Sequence, residues 1–352
     1  MYLHSVGHFH PPTVLANSFF EELGLETSDA WITERTGIRS RHTVLPLDYI
    51  RATRNRDVRG ALEAAEYSNA ETGRRAGLMA LERAGLKPSD IGLVIAGGCS
   101  PDECIPAESN RIAAALGIDA PAVDMQSACS SFCMQLHFLA GMRPERLPDF
   151  VLVVNPENST RVVDYSDRSS SVLWGDGTSA AVLSPRHPGR WRVTDTHLAG
   201  DPSGAGKVVV PRAGHFIQQG SEVQKFAVTR ASETYVTLRG RHRAAMAARG
   251  EAARGEGAAR GEGAARGEGA AAPGVGLIGH QANLRMLQSV QKRCEVPDAE
   301  HFFNVDRRGN CGASGAPGVL SEHWDDPRLP PALILSVVGS GLTWAGALLE
   351  RT

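Results

Sequence analysis

Three apolar runs limit what this chain can become. Ile91-Gly92-Leu93-Val94-Ile95-Ala96-Gly97, Phe150-Val151-Leu152-Val153-Val154 and Leu333-Ile334-Leu335-Ser336-Val337-Val338 are continuous rather than alternating. A strand apolar on both faces must be covered on both, which is the habit of sheets flanked by helices. Segments of helical periodicity lie between them. Gly73 to Ala84 stops at Gly85, Glu108 to Leu116 follows the first run, and Asn283 to Arg293 places Leu284, Leu287 and Val290 on one side. The pattern predicts an α/β chain with buried sheets. At 352 residues, about two domains or a duplicated one are expected.

Other segments fill in the outline. Met1 to Pro12 reads as a first strand and turn. It has no Lys or Arg and is broken by His8, His10, Pro11 and Pro12, so no signal peptide is expected. Ser28 caps a short helix that closes at Gly37. Leu45 to Gly73, polar and Arg-rich, suits a helical excursion or a flap. Ser171 to Trp174 and Thr178 to Leu183 flank Gly175-Asp176-Gly177 and suggest a hairpin-like turn. Gly276 to His280 is a strand ending in a histidine. Val338-Gly339-Ser340-Gly341-Leu342-Thr343-Trp344 is a Gly-rich turn before a closing helix. From Arg249 the chain repeats Arg-Gly-Glu-Gly-Ala-Ala after a shorter first unit. Two glycines per repeat each cost ~1 kcal/mol in a helix. Residues from about 244 to 274 therefore read as a solvated, mobile insertion.

Composition excludes several classes. A net charge of −2 gives nucleic acid no electrostatic footprint. No stretch approaches the ~20 apolar residues of a membrane span. The six cysteines are scattered, with neither a disulfide framework nor zinc spacing, and a reduced cytoplasm suits them. No metal is expected.

One of these cysteines stands apart. Ala122-Val123-Asp124-Met125 is a short strand, and Phe132, Leu136 and Leu139 begin a helix. Between them Ser127-Ala128-Cys129-Ser130-Ser131 makes a sharp turn that puts Cys129 at a helix start. Exposed N–H groups and the helix dipole there favour a thiolate, which is the nucleophilic form. A small buried filler is the alternative for Cys129. His280 stands where a strand meets a helix. Asn310 lies in a small-residue loop, Asp306-Arg307-Arg308-Gly309-Asn310-Cys311-Gly312-Ala313-Ser314-Gly315.

Taken in order, these segments resemble the ketoacyl synthase III family of the thiolase superfamily. That family's nucleophilic Cys, HQANxR and GNxxxA segments match Cys129, His280 to Arg285, and Asn310 to Ser314. Thr27 to Arg39, Trp174 to Gly177 and Gly220 to Val223 look like further family landmarks, so the resemblance spans nearly the whole chain. It implies a thiolase-like five-layered αβαβα sandwich of two similar halves, residues 1–184 with the Cys and 185–352 with the His and Asn, and a homodimer.

The chemistry implied is a Claisen condensation. Cys129 would hold an acyl group as a thioester. A neutral His280 N–H and the Asn310 side-chain N–H would stabilise the enolate of a malonyl- or 3-oxoacyl-thioester. Backbone N–H groups of Cys129 and Ser340 would bind the oxyanion formed at the acyl-Cys carbonyl, where the family uses a turn glycine. No metal or redox cofactor is required. The resemblance also implies that Trp31, Arg35 and Arg168 contact the coenzyme A nucleotide and that Asn283 lines the pantetheine tunnel; a packed Trp with surface arginines is the plain alternative. Lys225, Arg285, Lys292 and Arg293 would dock an acidic acyl carrier protein, or simply solvate a helix face.

Position 340 is Ser where the family has Gly, 342 is Leu where Phe is usual, and Ile105-Pro106 stands where a dimer-gating aromatic is common. Leu45 to Gly73 is longer than in housekeeping members. These departures suggest a specialised-metabolism member with altered chain capacity. The alternatives are a same-fold acyltransferase, a ketosynthase joining two long acyl units of the dialkylresorcinol-forming type, and a non-catalytic partner subunit.

Overall fold

The computed structural model describes residues 1–259 and 274–352. Ten strands form the main sheet: β1 (Tyr2–Phe9), β2 (Leu93–Ala96), β3 (Ala122–Asp124), β4 (Val151–Glu157), β5 (Gly177–Ser184), β6 (Trp191–Gly200), β7 (Val275–Gly279), β8 (His301–Phe302), β9 (Ala332–Gly339) and β10 (Thr343–Arg351). Their order across the sheet is β8-β7-β9-β10-β6-β1-β5-β4-β2-β3. Read outward from the middle, each set of five has the same order, so the topology repeats. The repeat extends to direction. β2 runs parallel to β3 and β4, β7 runs parallel to β8 and β9, and the remaining pairs are antiparallel. Among the described residues, the two sets are joined where Tyr2 and Leu3 pair with Arg192 and Trp191. The turn between β5 and β6 contains the 184/185 boundary.

Seven helices matter for the site: α1 (Asp29–Thr36), α2 (Asn69–Ala84), α3 (Glu108–Leu116), α4 (Ser131–Gly141), α5 (Gly220–Ala259), α6 (Leu284–Cys294) and α7 (Gly315–Glu322). Five layers result. Leu136 of α4 and Val319 of α7 are packed between the two sets of strands, against Val153 from one and Leu335 from the other. Outside, Ala76 and Ile112 of α2 and α3 cover Leu152, while Tyr235 and Val290 of α5 and α6 cover Ile334. Alternate residues of β4 and β9 therefore feed different cores, which is why their sequences are apolar without interruption.

Local signals were mostly obeyed. Ser28 accepts a hydrogen bond from the Trp31 N–H, and Gly37 closes α1 at φ +75°. Leu45 to Gly73 is a helical excursion, with helices Leu47–Thr53 and Val58–Ala64 and the first turn of α2.

Three expectations are corrected. Residues 171–183 are not a hairpin: Arg168–Ser171 is a short helix, and β5 pairs with β1 and β4. The Asp176 carboxylate accepts from the N–H groups of Val44 and Thr160, which ties its turn to distant chain instead of to a neighbouring strand. The segment after Gly341 is not a helix but β10, claimed on both edges by β9 and β6. The expected mobile insertion is helical as far as Ala259. Ala-rich sequence from Ala244 extends an already packed helix, so each added residue costs no new nucleus. The rest of the insertion, 260–273, lies outside the described residues. Among the described residues no helix is long and apolar enough to cross a membrane.

Gly7 in β1 lies flat against α2, and a Cβ there would meet the Ala76 carbonyl oxygen and come within 2.6 Å of the Ala80 nitrogen. Gly7→Ala should destabilise the fold by about 1–3 kcal/mol. A thermal melt showing a clear loss checks this; an unchanged midpoint would contradict the packing.

Candidate active site

The site is built where strand ends of both halves face one another. The turn after β3 is a tight knot of serines. Ser127 N–H donates to Ser131 Oγ at 2.9 Å, Ser131 Oγ donates to the Ala128 carbonyl at 2.6 Å, and Ser130 Oγ donates to the Ser127 carbonyl at 2.7 Å. These bonds hold Ala128 at φ +44°, a conformation that L-residues adopt at a cost of about 1–3 kcal/mol. The strain lifts Cys129 out of the chain just ahead of α4.

The other half reaches this turn through a glycine. Gly339, the last residue of β9, packs so closely that a Cβ would come 2.7 Å from both the Ser127 carbonyl oxygen and Ser130 Oγ. Ser340 follows with ordinary φ, and Gly341 takes the left-handed position at φ +119°. Serine therefore costs the turn nothing. Its hydroxyl donates to the Val208 carbonyl at 2.5 Å.

His280 follows β7 directly. Its N–H donates to the Ser336 carbonyl of β9 at 2.9 Å. Its Nδ1 is buried with no hydrogen-bond partner among the described residues. Asn310 is gripped by the first half. Its N–H donates to the Leu173 carbonyl at 2.8 Å, and its carbonyl accepts from Gly175 at 3.1 Å. Its Oδ1 accepts from Gly312 N–H at 3.0 Å, which leaves the amide Nδ2 as the end for a ligand. Gly309 and Gly312 carry positive φ in this loop.

Cys129, His280, Asn310 and Ser340 line one pocket, about 320 Å³ in volume, together with Arg35 and Asn283. Cys129 is held well below the ordinary thiol range, chiefly by a hydrogen bond from Cys99 and also by His280; burial opposes both. Asn283 also caps α6, its Oδ1 accepting from Met286 N–H at 2.8 Å.

The remaining sequence-predicted residues lie further out. Trp31, half-buried, has the Arg35 guanidinium 4.7 Å from one ring centroid and that of Arg168 at 4.8 Å. Arg168 also donates to the Glu26 carbonyl. Arg285 is a strut, donating to the Glu34 carbonyl at 2.7 Å and the Thr33 carbonyl at 3.3 Å at the end of α1. Lys225, Lys292 and Arg293 are exposed on α5 and α6, and Arg293 reaches Thr229 Oγ1 at 3.2 Å.

Two residues of the site were missed in the sequence. Cys99, beyond the end of β2, has its Sγ 3.8 Å from that of Cys129. Glu157, the last residue of β4, accepts from the Cys99 N–H at 3.1 Å and from the Ala313 N–H at 2.8 Å. Burial, reinforced by charge on Cys129, pushes Glu157 up to about 7. No local pattern marks either one; the pairing of β2 with β4 brings their strand ends together beside Cys129.

A cysteine at a strained turn, sharing one pocket with an imidazole and a carboxamide from a topologically equivalent half, fits a condensing enzyme of thiolase fold. Residues 123–202 match the family model of 3-oxoacyl-[acyl-carrier-protein (ACP)] synthase III, and residues 276–351 match that of its C-terminal part. The β-ketoacyl-[acyl-carrier-protein] synthase III of Campylobacter jejuni strain RM1221 is 28% identical, covering 99% of this chain and 97% of its own. The crystal structure of 3-oxoacyl-[acyl-carrier-protein] synthase III from Aquifex aeolicus VF5 superposes with a TM-score of 0.80 at 25% identity, covering 99% of both chains. A priming β-ketosynthase from the R1128 polyketide biosynthetic pathway gives 0.75 at 25% identity, covering 99% of this chain and 96% of its own. The chain is similar over nearly its whole length to the ketoacyl-ACP synthase III enzymes of the thiolase superfamily.

Gly339→Ala should cut turnover by at least about 10²-fold, because an ångström-scale shift of the turn displaces the Ser340 N–H from Cys129. Steady-state kinetics on protein with a near-native circular dichroism spectrum would check it; activity within threefold of the parent would contradict the close approach.

Proposed function

We propose that Cys129 takes an acyl group from an acyl thioester and passes it to the α-carbon of a malonyl- or 3-oxoacyl-thioester, in fatty acid or polyketide assembly. The observation that carries this is the single pocket shared by Cys129, His280 and Asn310.

The Cys129 thiolate attacks the donor's thioester carbonyl, and the donor's thiolate leaves. The second substrate enters with its thioester oxygen toward His280 and the Asn310 Nδ2. For a malonyl group, carbon dioxide leaves and the electron pair becomes an enolate on that oxygen, stabilised by those two N–H donors. The enolate carbon attacks the acyl-Cys129 carbonyl. The backbone N–H groups of Cys129 and Ser340 receive the oxyanion, which collapses as the Cys129 thiolate leaves. An Asn310 anchored by its own Oδ1 favours this over plain acyl transfer to a hydroxyl, which forms no enolate.

The outer residues support substrate delivery. A Trp31 ring flanked by Arg35 and Arg168 offers an aromatic face for a nucleotide base and two guanidinium groups for phosphates. Lys225, Lys292 and Arg293 offer positive charge to an acidic carrier protein, with Arg285 bracing α6 beneath them. A homodimer is proposed through the β3 edge. Val123 is 45% exposed there, and Ile105 is 85% exposed in the loop leading to α3, whose Glu108 N–H donates to the Asp124 carboxylate. The setting proposed is the cytoplasm.

Mixing the protein with acyl-CoA should add one acyl mass that is absent in Cys129→Ala. Asn310→Ala should keep that mass but lose malonyl decarboxylation by about 10²–10³-fold. Acyl addition persisting in Cys129→Ala would sink the reading. Trp31→Ala should raise KM for a coenzyme A donor at least fivefold, with a smaller change for a carrier-bound donor; equal changes for both would assign Trp31 to packing.

A further inference from the structure

The condensation makes no use of Cys99 or Glu157, yet both are built into the site. Gly97 and Gly98 let their loop lie directly on neighbouring backbone. A Cβ at Gly98 would come 2.6 Å from the Pro156 carbonyl oxygen, and one at Gly97 would come 2.7 Å from Gln135 Nε2. That approach delivers Cys99 to the nucleophile, sulfur to sulfur at 3.8 Å, within the reach of an S–H donor. Glu157 is wholly buried and holds three groups: the Cys99 N–H, the Ala313 N–H and the Ser159 hydroxyl at 3.1 Å. It therefore fixes Cys99 relative to the loop that carries Asn310.

We propose that Cys99 is a positioning residue for the nucleophile: its S–H donates to the Cys129 sulfur, and Glu157 anchors it there through the Cys99 N–H. This takes from the preceding reading only that Cys129 is the nucleophile.

The roles of the two thiols are not interchangeable. Cys99 is pushed well above the ordinary thiol range, chiefly by its contact with Cys129 and by burial, and also by the adjoining Glu157 carboxyl group. Cys129 lies against His280, which favours a negative charge there. The proton shared by the pair therefore stays on Cys99, and a donor hydrogen bond from it stabilises the charged Cys129 sulfur over the neutral thiol. Once Cys129 is acylated its sulfur is a far weaker acceptor, and the Cys99 donor no longer competes for the charge. Cys99 thus acts on the free enzyme, in the loading half of the reaction.

The test is the pH dependence of Cys129 alkylation by iodoacetamide, followed by peptide mass mapping in the parent, Cys99→Ala and Cys99→Ser. Cys99→Ala should raise the midpoint by about one pH unit or more, the scale of one lost hydrogen bond to the charged form. Cys99→Ser, which keeps an O–H donor, should move it part of the way back. Superimposable profiles for the parent and Cys99→Ala would overturn the proposal. So would a Cys99→Ser profile equal to that of Cys99→Ala, which would indicate packing. Alkylation of Cys99 ahead of Cys129 in the parent would also overturn it, by placing the charge on the wrong sulfur. The readout needs no acyl substrate. Loss of acyl loading with the midpoint shift intact would refute the condensing reading and leave this one standing, and the reverse result would do the opposite.

Discussion

Backbone against backbone at Gly339 is the contact on which the site depends. The strained turn at Ala128 and the end of β9 approach to a distance that no side chain could share. Everything reactive is then referred to that contact. Cys129 projects from one side of it, and the Ser340 N–H comes from the other. Close packing transmits such constraints without slack, because interiors have few voids to absorb a shift.

Other ties between the halves act at the same level. Asn310 is bonded through its own backbone to Leu173 and Gly175 in the first half. Glu157 bonds both the Cys99 loop and Ala313 in the second half. A carboxylate kept from water for this purpose is costly to ionise, which its upward displacement reflects. Duplicated topology explains why this works. Equivalent strands of the two halves end at equivalent places, so loops that are remote in sequence open onto a common space.

Much of this was legible before any coordinates. Cys129 at a helix start, His280 at a strand end and the Gly309-Asn310 loop are local patterns with local causes. The apolar runs are likewise local, since burial on both faces leaves a mark on every residue. What escaped was set by partners far away in the chain. The residues after Gly341 are rich in Ala and Leu and suit a helix by propensity; edges offered by β9 and β6 made them a strand. Gly175-Asp176-Gly177 has turn composition, yet Asp176 serves Val44 and Thr160. Glycines at 250, 255 and 257 argued against helix, yet the helix passes through all three as a continuation of a packed element. Cys99 and Glu157 are separated by 58 positions, and only β2 lying beside β4 brings them together.

The central claim is that side chains from both halves act on one substrate. A crystal structure of the protein acylated by acyl-CoA, then soaked with a non-decarboxylating malonyl-thioester analogue, tests it most directly. The account requires continuous density from Cys129 Sγ to the acyl group. It also requires the analogue's thioester oxygen within about 3 Å of both an imidazole nitrogen of His280 and Nδ2 of Asn310. Acyl density on another residue, or an analogue whose carbonyl touches neither side chain, would contradict it.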